Sequence, residues 1–361
     1  MSESQFYCKE HFSPHSEEAL CRYNQEAFCR EEGLYSLYVE QRLFYRPLCP
    51  HNCRRAVWHN YKAPGRYLIT INKNPLIAPF STVCGELRNA ANEPYCHLSA
   101  SGVIIDRLIR DINLIEPFEV ENHVVMPDHV HILWRVKDWL PKDFGYYVGL
   151  LKSRCTKIWR EEYQQEESLF MPKFNDKISF DDVMTERFDR YISDNPRRRL
   201  TIMLHPELFN RARQVRILDR VMDVFGNFQL LKHPIIAPAV VSSRYSPEQK
   251  RAVESLIEEA IRTQGVLVSP FISAAEKALM KRAIEEDASI IRIVADGIGP
   301  KYKPAGLEFD LCSQGRCLHI GEHRLSAHVE KKGRAEFLAL NRLAHWIASH
   351  PAERMLLLGS R

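Results

Sequence analysis

Two histidines one residue apart carry the first chemistry this chain suggests. They lie in Val124-Val125-Met126-Pro127-Asp128-His129-Val130-His131-Ile132-Leu133-Trp134. Residues 119–126 and 129–136 are rich in Val, Ile and Leu, and Pro127-Asp128 interrupts them, which spells two strands joined by a tight turn. Alternate side chains of a strand share a face, so His129 and His131 point one way while Val130 and Ile132 point the other, into a core. Two imidazoles on a rigid strand make half of a metal site. Two polar residues on the outer face of a half-buried strand would have the same spacing, so spacing alone leaves both readings open.

The stretch resembles the His-hydrophobic-His signature of the HUH single-strand nucleases. Its wider Val-Val-Met-Pro-Asp-His-Val-His-Ile-Leu context is similar to that of the REP-associated tyrosine transposases, relatives of the single-tyrosine insertion-sequence transposases. Asp128 stands where that family often has Asn, and either residue suits a turn. The resemblance implies a nucleophilic tyrosine on a later helix. Phe188-Asp189-Arg190-Tyr191-Ile192-Ser193-Asp194-Asn195-Pro196 is similar to the family's Tyr-Ile-x-x-Asn-Pro segment. It implies Tyr191 as nucleophile and Asn195 as third metal ligand beside His129 and His131, with Mg²⁺ or Mn²⁺ as the ion. Residues i and i+4 share a helix face, which suits the pair, and Pro196 is expected to help end the helix. The implied activity is cleavage and rejoining of single-stranded or hairpin DNA through a covalent 5′-phosphotyrosine. The alternative is a single-stranded DNA-binding protein that keeps the fold without the reaction.

Charge fits a polyanionic partner. The net charge is only +4, but residues 187–220 hold nine Arg, no Lys and four acidic residues. Such a stretch suits phosphate contacts, or else forms a solvated helix face. Arg190, Arg197, Arg198, Arg199 and Lys152 are the candidate DNA contacts. Ten cysteines in a chain of 361 residues with no disulfide-scaffold pattern point to reduced thiols. Cys8, His11, Cys49 and Cys53 could build a structural zinc site, although their spacing also fits scattered thiols. A third reading lets His129 and His131 join those N-terminal cysteines in a structural zinc protein. The hydrophobic content of 45% allows real cores, and no apolar run approaches the roughly 18 residues of a membrane span. The first residues lack a basic-then-apolar signal, so a soluble, cytoplasmic monomer or homodimer is expected.

The elements that must position these residues come in chain order. A strand is expected at 66–72, an irregular connection at 73–96, a helix at 99–113, the strand pair, a helix at 143–163, a strand within 169–178 and a helix at 181–195. That order predicts an α+β, ferredoxin-like unit over 61–215, after an extension at 1–60, with helices on one sheet face and the other face open to substrate. Residues 200–235 read as a bridge. Beyond it, strands at 235–241, 266–271, 289–294 and 317–320 alternate with helices that begin after Ser246 and Ser273 and at Phe309, which predicts an α/β parallel sheet. Residues 232–325 resemble the Rossmann-like fold of the DprA/Smf DNA-processing family through Ser269-Pro-Phe-Ile-Ser273, Glu276-Lys-Ala-Leu279 and Lys303-Pro304. Residues 326–361 read as a helical tail. No Gly-x-Gly-x-x-Gly is present, so a dinucleotide site is not expected. Ser242, Ser243, Arg244, Ser269 and Asp296 fall at strand ends, as ligand contacts or as ordinary turn residues.

Overall fold

The computed structural model describes residue 56 and residues 59–241, 245–300, 302–324 and 333–358. The zinc candidates Cys8, His11, Cys49 and Cys53, and also Ser242, Ser243 and Arg244, lie outside the described residues. The chain divides into two units, Met1–Arg199 and Leu200–Arg361.

The first unit is α+β. Its elements are β1 (Gly65–Asn72), the short pair β2 (Ser81–Cys84) and β3 (Tyr95–Leu98), α1 (Ala100–Asp111), β4 (Phe118–Val125), β5 (His129–Val136), α2 (Phe144–Tyr163), β6 (Asn175–Ser179) and α3 (Asp182–Leu204). The main sheet has the order β4-β5-β1-β6, with every neighbouring pair antiparallel. With α1 and α2 as the two crossovers, this is the connectivity of a split βαβ unit. The β2–β3 hairpin occupies the connection expected to be irregular.

Sequence periodicity explains the first layer. Ile104, Ile105, Leu108 and Ile109 recur at helical spacing on α1 and bury against Ile69, Ile71, Val130, Ile132 and Trp134 of the sheet and Phe144 and Val148 of α2. Ser99 caps α1 by accepting from the Gly102 amide. Gly102 is obligatory there, because a Cβ would lie 2.0 Å from the Phe80 carbonyl oxygen.

The other sheet face is not left open as expected. Ile192 is fully buried and, with Phe188, packs on Leu68, Leu133 and Val124, so α3 covers part of that face. Central strand β5 is therefore buried on both sides at Ile132 and Leu133, and its apolar run does not alternate. Nor does Pro196 end α3, which continues to Leu204. A proline in a helix interior removes one main-chain donor and crowds the carbonyl four residues back. Arg197, held by Asp194, spans the proline on its C-terminal side, and packing of Ile192 holds the turn before it.

The second unit holds β7 (Asn210–Ile217), β8 (Arg220–Gly226), β9 (Ile236–Pro238), α4 (Pro247–Arg262), β10 (Val266–Ser269), α5 (Ala274–Glu285), β11 (Ser289–Ile298), α6 (Leu307–Ser313), β12 (Cys317–His323) and α7 (Arg334–Ser349). The sheet order is β7-β8-β12-β11-β10-β9. Strands β9 to β12 are mutually parallel, as expected, while β8 joins β12, and β7 joins β8, antiparallel. The Rossmann-like expectation is not confirmed. Among the described strands the parallel ones add in one direction only, so their order does not reverse as it does in a doubly wound sheet. Accordingly α4, α5 and α6 bury on one face, through Ile257, Ala283 and Cys312, and α7 on the other, through Leu340, Leu343 and Ile347.

The bridge at 200–235 contains β7 and β8, and the expected tail supplies α7 to the core. Arg354 fastens the segment beyond α7 by donating to the carbonyls of Leu231, Ile347 and His233.

Candidate metal and nucleophile site

Register places the histidines. On the face that α3 partly covers, Asn72 pairs with His129, Thr70 with His131 and Leu68 with Leu133. Val124 of β4 flanks His131 on the other side. The two imidazole centroids are 4.5 Å apart. His131 is 4% exposed; His129 is half-buried at the strand's start.

Each imidazole is oriented from behind by an oxygen. His131 Nδ1 lies 2.9 Å from Thr70 Oγ1, and His129 Nδ1 lies 2.7 Å from Asp128 Oδ1. That leaves Nε2 on each ring as the outward nitrogen. His131 Nε2 is buried and has no hydrogen-bond partner among the described residues. Burial, then the neighbouring His129, pushes His131 down to about 3, so its ring is neutral near pH 7. The hydrogen bond from His129 draws Asp128 down to about 2. An oxygen behind Nδ1 and a bare Nε2 in front is how proteins orient imidazole ligands to a cation. By this test the histidine pair suits a divalent metal.

Helix α3 brings the phenol. The Tyr191 ring sits 5.1 Å from the His131 ring, edge to face at 64°, and Tyr191 is 38% exposed. Asn122 clamps the helix to β4 at this level, donating to Asp189 Oδ1 at 2.6 Å and to Ser193 Oγ at 2.9 Å. Asn195, one turn beyond Tyr191, is buried and donates from Nδ2 to the Tyr191 carbonyl. Its Oδ1 is the atom able to ligate a cation.

The basic candidates separate by position. The Arg198 guanidinium lies 6.0 Å from the Tyr191 ring centroid. Arg199 is exposed, and its charge reaches Asp128 at the head of β5. Arg190 is exposed on the helix. Arg197 is paired with Asp194 at 2.5 and 3.0 Å. Lys152 stands on α2, in the layer opposite the histidine face, and donates to the carbonyls of Met171 and Lys173. Of the strand-end candidates in the second unit, Ser269 caps its own turn by accepting from the Phe271 amide, and Asp296 is exposed.

Thr70 and Asn122 were not visible in the sequence as site residues. Thr70 acquires its role only through the β1–β5 register. Asn122 acquires its role through the register shift between Val120 and Asn122, which a period-two reading cannot show.

No protein-family model matches the chain, and no curated protein does. Among solved structures, the chain is similar to a REP-associated tyrosine transposase bound to a REP hairpin, at 18% identity and a TM-score of 0.28, over 38% of this chain and 70% of that one. It is also similar to a protein named as a transposase from Deinococcus radiodurans R1, at 15% identity and a TM-score of 0.23, over 38% of this chain and 94% of that one. Neither likeness is to a DprA-type protein. At these scores the functional reading rests on the site's own geometry. Among the described residues, no helix is long and apolar enough to cross a membrane.

Proposed function

We propose that the first unit is a ferredoxin-like HUH domain that cuts and rejoins single-stranded or hairpin DNA through Tyr191, with a divalent metal. The observation that carries the reading is the Tyr191 ring packed against His131, beside His129, with a buried unpartnered Nε2 at the junction.

His129, His131 and Asn195 would hold the ion. An imidazole and amide-oxygen set suits Mn²⁺ or Mg²⁺, and the bound ion would neutralise the scissile phosphate. The remaining work falls to the chain. The Tyr191 oxygen attacks phosphorus, the P–O3′ bond breaks, and a 3′-hydroxyl leaves as a 5′-phosphotyrosine forms. Attack by a 3′-hydroxyl on that linkage reverses the exchange and rejoins strands without an outside energy source. Asn122 keeps α3 seated so that the phenol stays over the imidazoles. The Arg198 guanidinium favours negative charge on the phenol as its proton leaves. Arg190 and Arg199, exposed on the same helix, are the phosphate contacts.

The test is a labelled DNA strand, unpaired or hairpin, incubated with the full chain and Mn²⁺. A denaturant-resistant protein–DNA band is expected, lost in Tyr191→Phe and on chelation. DNA retention by wild type with no such band would leave a binding protein that keeps the fold without the reaction.

A further inference from the structure

The second unit carries a cluster that strand transfer does not use. Cys312 lies near the end of α6, Cys317 opens β12, and His319 comes two residues later on the same face of that strand, giving Cys-x4-Cys-x-His. All three are buried, and their donor atoms lie within 4.8 Å of one another. Cys317 Sγ is 3.4 Å from His319 Nε2. Glu308 Oε2, from the first turn of α6, is 3.4 Å from the same nitrogen. The other Glu308 oxygen is held by Arg292, the cross-strand neighbour of His319 on β11. The Tyr302 ring lies 5.6 Å from the imidazole.

The three donors fit one ion. Tetrahedral zinc, with bonds of about 2.3 Å to sulfur and about 2.0–2.1 Å to nitrogen, sets a donor-to-donor edge of roughly 3.6 Å for S–N. The observed S–N edge is 3.4 Å. His319 is wholly buried, and its Nε2 faces the Cys317 thiol and a Glu308 oxygen at 3.4 Å each, so a cation there would meet sulfur, nitrogen and carboxylate donors together. Both cysteines are free thiols.

We propose that Cys312, Cys317 and His319 form a zinc site, supported by the Glu308 carboxylate beside its imidazole, that staples α6 to β12. Two sulfurs and an imidazole select a borderline-soft ion, which separates this site chemically from the imidazole and oxygen set of the first unit. Each thiol gives up its proton as the ion binds.

Cobalt titration of the full chain, stripped of metal under reducing conditions, tests the proposal without reference to DNA cleavage. Thiolate ligation of Co²⁺ produces a near-ultraviolet charge-transfer band that His129, His131 and Asn195 cannot produce. The band is expected in wild type and in Cys8→Ser/Cys49→Ser, and absent from Cys312→Ser/Cys317→Ser. Glu308→Gln, at a partly exposed position that tolerates the change, is expected to weaken Co²⁺ binding at least about tenfold, and it serves if the double serine variant does not fold. The proposal is overturned by a wild type without the band. It is equally overturned by a band, and an affinity, that Glu308→Gln leaves unchanged, or by a band that survives the Cys312/Cys317 change and disappears only with Cys8 and Cys49.

Discussion

At the scale of single residues, the site depends on which nitrogen each histidine leaves free. Thr70 stands behind His131 Nδ1 at 2.9 Å, so Thr70→Val removes an orienting oxygen while keeping the side-chain shape. Mn²⁺ affinity is expected to fall by about 10- to 100-fold with the fold intact, as loss of such supporting contacts does elsewhere. Titration followed by Mn²⁺ electron paramagnetic resonance measures it; unchanged affinity would remove Thr70 from the site. Burial of the same histidine has a second consequence. His131 is held down to about 3 and His59, also by burial, to about 4. Both folded values lie below the usual 6.5. Between them the unfolded chain takes up protons that the folded chain refuses. Their contribution is thus complete above pH 6.5 and is lost as pH falls toward 3–4. In metal-free wild type the melting temperature should fall over that window, for a loss on the order of a few kcal/mol. His131→Gln should flatten the slope relative to wild type. Equal slopes would mean that His131 takes up its proton in the folded state.

At the scale of elements, α3 decides whether phenol and imidazoles meet. Asn122→Ala removes both of its bonds to the Asp189 and Ser193 side chains, a cost of about 1–2 kcal/mol. Hydrogen exchange in residues 186–196 should quicken and the covalent band should weaken, although Tyr191 is untouched. Ile192→Ala takes a fully buried side chain from between α3 and the sheet, with an expected loss of about 2–4 kcal/mol in denaturant unfolding. Much of this architecture was legible in the sequence where the governing forces are local. The Ser246/Gln249 and Ser273/Glu276 capping boxes are present where expected, because a cap is decided within four residues. The apolar spacing of α1 and the paired strands around Pro127-Asp128 were legible for the same reason. Tertiary forces hid the rest. Asn210–Ile217 and Arg220–Gly226 are strands, but a register shift between Ala212 and Val215 breaks the alternation that would have marked the first of them. Helix α3 overrides a proline because packing and an ion pair lie on either side of it. No local pattern says that Ile192 and Phe188 will fold back over the histidine face.

At the scale of the whole molecule, the two units hold separate cores, and the chemistry proposed for each draws on its own residues alone. Helices α1 and α2 bury with the first sheet, and α4 to α7 bury on the second. Arg354 gives the clearest way to perturb one of them. Its buried guanidinium satisfies the carbonyls of Leu231, Ile347 and His233 at once. Arg354→Ala strands three acceptors in the interior, and unsatisfied buried polar groups cost about 1–3 kcal/mol each. A domain with its own core can open by itself. The substitution is therefore expected to raise hydrogen exchange in residues 228–240 and 334–358 and to leave 65–72 and 118–136 at their wild-type rates. Formation of the Tyr191 adduct at low temperature should be unchanged, while the Co²⁺ band assigned to Cys312 and Cys317 weakens as β12 loses its support. If exchange instead rose equally in both units, they would unfold as one cooperative body, and the separation of the two sites would be one of position alone.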